Sequence, residues 1–221
     1  MGASGGFPID LVLFGMIAAF LVLRLRSILG KRQGFERQAD PARVPARPPV
    51  AEAPTIDAVA ERVPPRALPD PASATGQALT RMQAVDRNFQ AMRFLDGAEA
   101  AFRLIVVAFA AGQRDALRPL LSDETYRAFE AAIGAREAAG ETQQTEVRSI
   151  HAATIEAADL RGTVADITVR FVTDQVNLTL GRDGAVAHGT DAVTEIVDLW
   201  SFERDLSIAD PTWRLVAARS A

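Results

Sequence analysis

The chain has no cysteine, which excludes a disulfide scaffold, a thiolate metal site, a sulfur nucleophile and a lipidated cysteine together. Any catalysis must do without sulfur. It also has only two histidines, His151 and His188, and one tyrosine, Tyr126, so imidazole or phenol chemistry is confined to three positions. Across its first eighty positions the 221-residue sequence lacks the periodic apolar pattern that a core requires. The core must therefore come from the remainder, about 140 residues, which suffices for one domain.

What is present is divided unevenly. From Ile9 to Leu29 only Asp10, Arg24 and Arg26 are charged, and Leu11 to Leu23 carries no charge. Nothing basic precedes this run and no small-residue cleavage site follows it, so it does not read as a secretory signal. As a helix, residues 9–29 reach about 30 Å, the hydrocarbon thickness, if the two arginines snorkel. A transmembrane anchor over residues 1–30 is expected; the alternative is a helix packed on the soluble domain. The following segment, 31–80, holds nine of the twelve prolines with no period and almost no aromatics. It reads as a semi-rigid, extended linker, or alternatively as a docking motif for a proline-binding domain.

Charge is divided as well. Residues 24–47 carry Arg24, Arg26, Lys31, Arg32, Arg37, Arg43 and Arg47 against Glu36 and Asp40, whereas 81–221 hold fifteen Arg against twenty-one Asp plus Glu. An acidic domain argues against nucleic acid as a partner. A basic collar suits anionic phospholipid headgroups, with Arg24, Arg26, Lys31, Arg32 and Arg37 as the expected contacts, and the positive-inside rule puts the C-terminal bulk in the cytoplasm.

Over 81–221 the periodicity changes twice. Phe94, Ala98, Ala101, Ile105 and Phe109 recur at helical spacing and fade at Gly112; Ser122 then reads as the N-cap of a second helix through Tyr126, Phe129 and Ile133, stopped at Gly140. Beyond it the period becomes two. Strands are expected over Thr145–Glu156, Ala165–Phe171, Val176–Leu180, Val193–Phe202 and Trp213–Ala217, with Asp183-Gly184 as a hairpin turn. Helices followed by strands with short connections predict an α+β domain, its curved antiparallel sheet wrapped around helices.

The residues themselves resemble a family. Phe94–Phe102 (FLDGAEAAF), Leu117–Ser122 (LRPLLS) leading to Tyr126 and Phe129, Ile167–Val172 (ITVRFV), Asp198–Asp205 (DLWSFERD) and Asp210–Ala217 (DPTWRLVA) look like the Tim-forty-four-like domain. That family comprises the mitochondrial inner-membrane import-motor tether, a mitoribosomal membrane anchor and bacterial relatives. The apolar segment followed by Leu25–Arg32 (LRSILGKR) is similar to the bacterial members. The resemblance implies a nuclear-transport-factor-two-like cone whose apolar pocket meets membrane lipid. It also implies a non-enzymatic adaptor of the bacterial inner membrane, linked to protein transport, that binds a protein partner or lipid and needs no cofactor or metal. The alternatives are a tethered binding protein for a small apolar ligand and a cone-fold enzyme.

The pocket implied by that fold would be lined by Phe102, Ile105, Phe109, Ile167, Val169, Phe171, Trp200 and Trp213, with both tryptophans on the concave side. Among chemical groups, His188 lies beside a glycine-rich turn and His151 in a strand among alanines, so both read as solvated or locally satisfied. Asp166 alternates with the apolar face and should point outward. Asp198, Arg204 and Asp205 read as an ion network fixing the strand around Trp200. No nucleophile, metal or phosphate-loop pattern rises above these structural readings.

Overall fold

The computed structural model of the protein describes residues 66–221. The expected anchor, most of the linker, and Arg24, Arg26, Lys31, Arg32 and Arg37 lie outside the described residues. Within 66–221 the elements run α1 (Ala74–Val85), α2 (Ala91–Ala110), α3 (Arg114–Leu117), α4 (Asp123–Ala139), then β1 (Thr142–Arg161), β2 (Val164–Leu180), β3 (Val186–Asp205) and β4 (Arg214–Ser220). Among the described residues no helix is long and apolar enough to cross a membrane.

Local chemistry sets the helix ends. Ser73 Oγ accepts from Gly76 N at 3.0 Å and opens α1, and Ser122 Oγ accepts from Thr125 N at 3.2 Å, with Asp123 and Glu124 in the first turn of α4. Each cap satisfies an otherwise orphaned amide. Gly140, at φ 73°, closes α4 in the left-handed conformation that glycine adopts without strain. The first helix starts at Ala74, ahead of the expected domain start at 81. It packs Ala78, Leu79 and Met82 into the core.

The four strands form one antiparallel meander in the order β1-β2-β3-β4. Two of the expected strands, 165–171 and 176–180, are one strand: β2 runs unbroken from Val164 to Leu180. Its inner face carries Ala165, Ile167, Val169, Phe171, Thr173 and Gln175, all buried, while the intervening residues are half-buried on the outer face. Strand β1 follows β2 through three register shifts, at Val147/Ser149, Ile150/Ala152 and Ile155/Ala157. Such bulges add local bend and twist, consistent with a curved sheet closing over the helices.

Helix α2 lies against this concave face. Phe94, Leu95, Ala98, Phe102, Ile105 and Ala108 form its buried stripe, and Phe102 meets Phe171 and Trp200 at ring centroid distances of 4.6 Å each. Phe94 packs edge-on against Phe202 at 6.0 Å and Trp213 at 4.7 Å. Each such side chain contributes about 1.5–3 kcal/mol by leaving water, plus roughly 0.5–1.5 kcal/mol per favourable aromatic pair. The loop before α4 is tied to the last strand by Leu215 N donating to Leu120 O (2.8 Å) and Ser122 N donating to Leu215 O (3.0 Å). That closure sets α4 against β4, where Thr125 Oγ1 donates to the Val216 carbonyl at 3.0 Å.

Candidate functional site

Between α2, α4 and the concave sheet lies a cavity of about 100 Å³. Helix α2 contributes Ile105, Val106 and Phe109, and α4 contributes Ala128, Phe129 and Ala132. Their spacing of three and four residues makes one lining stripe on each helix. From the sheet come Gln143 and Thr145 of β1, Gln175 and Asn177 of β2, Asp198 and Trp200 of β3 and Ala218 of β4. Phe109 and Phe129 meet edge-on at 4.9 Å and form the apolar side of the cavity.

The sheet side is a hydrogen-bonded chain. Gln175 Nε2 donates to Thr173 Oγ1 (2.8 Å), Asn177 Nδ2 to Gln175 Oε1 (3.3 Å), Thr145 Oγ1 to Asn177 Oδ1 (2.7 Å) and Gln143 Nε2 to Thr145 Oγ1 (3.3 Å). Arg136 closes it, donating to Gln143 Oε1 at 2.5 Å and to the Phe109 and Ala110 carbonyls at 2.7 and 3.1 Å. Its guanidinium also sits over the Phe109 ring, 5.1 Å from the centroid. Burial is the main force on this arginine and lowers its pKa; neighbouring Glu137 opposes that shift. The chain is self-satisfied, and among the described residues every buried side-chain nitrogen or oxygen has a hydrogen-bond partner. The cavity wall is therefore braced rather than primed with open donors.

The sequence-selected residues separate into three groups. Ile105, Phe109 and Trp200 line the cavity. Phe102, Ile167, Val169 and Phe171 are fully buried beneath it, packed as core. Trp213 is only partly buried and packs against Phe89 and Phe94, tilted on the first and edge-on to the second. The polar lining residues Gln143, Gln175 and Asn177 were missed. For Gln175 and Asn177 the available sequence signal is the two-residue alternation of β2, which puts them on the same face as Phe171.

The expected network of Asp198, Arg204 and Asp205 is replaced by three separate arrangements. Arg204 pairs with Asp86 at 3.2 Å, both largely buried, and donates to the Asp210 carbonyl at 3.0 Å. Asp205 accepts from Ser207 N and Oγ at 2.9 and 2.7 Å, and these bonds hold its pKa below the ordinary carboxylate value. Asp198 is buried at the cavity wall and accepts from Ser220 Oγ at 3.4 Å. Asp166 lies on the outer face, half-buried opposite Glu203; burial raises its pKa while Arg161 opposes the rise. Tyr126 hydroxyl donates to Glu130 at 3.3 Å under the Arg118 guanidinium. His188 is exposed on β3, whereas His151 contacts Asp174 on the outer face of the sheet at 2.8 Å.

A helix-covered, curved four-stranded antiparallel meander with a small apolar cavity behind a braced polar wall defines an α+β domain. The chain belongs to the Tim44-like domain family, whose model matches residues 75–220. A comparison with the curated proteins finds no match. Among solved structures the protein is similar to the intermembrane space region of the chloroplast protein ARC6, at 9% identity and a TM-score of 0.45, over 60% of this chain and 97% of that one.

Proposed function

We propose that the protein is a non-enzymatic, membrane-associated adaptor or tether whose 66–221 domain binds a protein partner or membrane lipid by its surface. The observation that carries this reading is the size and finish of the cavity. At about 100 Å³ it is below the roughly 300–1,000 Å³ that enclose drug-sized ligands, and its polar wall is spent on its own hydrogen bonds. Family membership supports the same direction.

Helix α2 offers a surface for such docking. Leu104 and Val107 are 49% and 46% exposed on its outer side. Nearer the helix start, Arg66 donates to Asp96 (2.6 Å) and bidentately to Glu99 (2.8 Å each). A photocrosslinker at Leu104 or Val107, in the full-length protein in its own membrane, should yield a discrete adduct. Leu104→Asp should remove that adduct from the Val107 position while leaving the melting temperature unchanged. Equal crosslinking from an outer-face position of β2 would overturn the assignment. The competing reading, a binding protein for a small apolar ligand, rests on Ile105, Phe109, Phe129 and Trp200 around the cavity. Native mass spectrometry decides it: a retained small-molecule mass that Trp200→Ala abolishes favours the ligand reading.

A further inference from the structure

On the outer face of the sheet, opposite the cavity, three adjacent strands bring His151 of β1, Asp174 of β2 and Glu195 of β3 together, with their ligating atoms all within 4.8 Å of one another. We propose that this trio is a binding site for one divalent transition-metal ion of the zinc type. Strand register supplies the first argument. Asp174 stands directly opposite Glu195, an apposition of like charges that destabilises a sheet unless a cation relieves it.

The placement of His151 supplies a second, independent argument. On the other side of Asp174 the register partner is Ser149, and His151 falls in the register shift between Ile150 and Ala152. It is thus the extra residue of a β-bulge, a device that re-aims a side chain. The re-aimed imidazole puts Nε2 2.8 Å from Asp174 Oδ2. Ser149 Oγ completes the group, 3.2 Å from His151 Nε2 and donating to Asp174 Oδ2 at 3.3 Å. One inserted residue therefore lets two side chains of β1 converge on a single carboxylate.

Donor chemistry selects the ion. One imidazole nitrogen and two carboxylates suit zinc and its transition-metal neighbours better than magnesium or calcium, which prefer oxygen alone. Two carboxylate charges with a neutral imidazole match a 2+ ion. Zinc bonds of about 2.0–2.2 Å to nitrogen and oxygen set neighbouring tetrahedral ligands about 3.3 Å apart, so the trio needs side-chain rotation but no strand movement. Ser149 would keep its bond to Asp174 and hold that carboxylate in place. Three protein ligands leave a fourth position to water or to a group from another molecule, so the site would be open on the exposed side.

The test is titration of the metal-stripped full-length chain with zinc chloride by calorimetry, with thermal melts in parallel. One saturable zinc per chain and a raised melting temperature are expected. His151→Asn, Asp174→Asn and Glu195→Gln should each weaken binding by about tenfold or more, the scale on which even ligand-supporting residues act. His188→Asn should leave it unchanged. A lack of saturable binding, or binding that survives all three substitutions, would overturn the proposal and leave the trio as a cross-strand polar cluster. The three variants change exposed or half-exposed side chains on the sheet surface, and their melts without zinc report whether each has kept its fold.

Discussion

Trp200 and Trp213 share an aromatic cluster but not an environment. Trp200 is 5% exposed, packs on Phe102, Phe171 and Phe202, and forms part of the cavity wall. Trp213 comes just before β4 begins pairing and is only partly covered, by Phe89 and Phe94. Trp200→Ala should therefore cost about 3–5 kcal/mol, and Trp213→Ala roughly half that. In thermal melts the first change should lower the midpoint by roughly 10 °C or more and the second by visibly less; the reverse order would sink this division. Trp200 lies on the inner face of β3, and strand alternation turns Asp198 inward beside it. Arg204 was legible as a strand cation, but its partner Asp86 lies in the connection between α1 and α2. No local pattern reveals so distant a contact.

At the scale of elements, the features legible in the sequence were those with a local cause. Helix α2 follows from its apolar spacing, α4 from Ser122 and Gly140, and the β2–β3 turn from Asp183-Gly184, where Gly181 N donates to Ala185 O at 2.8 Å. Two elements differ from the expected ones for physical reasons. Strand β2 was cut at Thr173-Asp174-Gln175 because polar residues read as a break, yet Thr173 and Gln175 are buried and hydrogen-bond each other. The first part of α1, residues 74–80, falls within the expected linker because its surroundings are rich in Pro, Ala and Gly. Only Ala78, Leu79 and Met82 mark its buried side, and three such residues make a weak period. Leu79, ahead of residue 81, is buried, so Leu79→Ala should destabilise the domain by about 2–5 kcal/mol. An unchanged melting temperature would mean that α1 is an appendage and that residue 81 is the better domain boundary.

On the scale of the whole molecule, sequence and structure meet at Arg66. The described domain begins there, pinned to Asp96 and Glu99 on the outer side of α2 by exposed ion pairs. Solvent screens such exposed pairs, so they orient the chain more than they stabilise it. Upstream lie the apolar run 9–29 and seven basic residues against two acidic ones over 24–47; downstream, 81–221 carry fifteen Arg against twenty-one acidic residues. Each basic residue held near an anionic surface contributes about 1 kcal/mol, whereas the acidic domain is repelled from that surface. A collar drawn to the membrane and a domain kept off it would leave α2 free to meet a partner. Changing Arg24, Arg26, Lys31, Arg32 and Arg37 to Gln should thus weaken retention in alkaline carbonate-washed membranes and scramble orientation, read by protease added outside spheroplasts. If retention and orientation both stay unchanged, those five charges serve only to keep the linker soluble. If the unaltered chain itself washes free, the apolar run is no anchor and the tether reading fails with it.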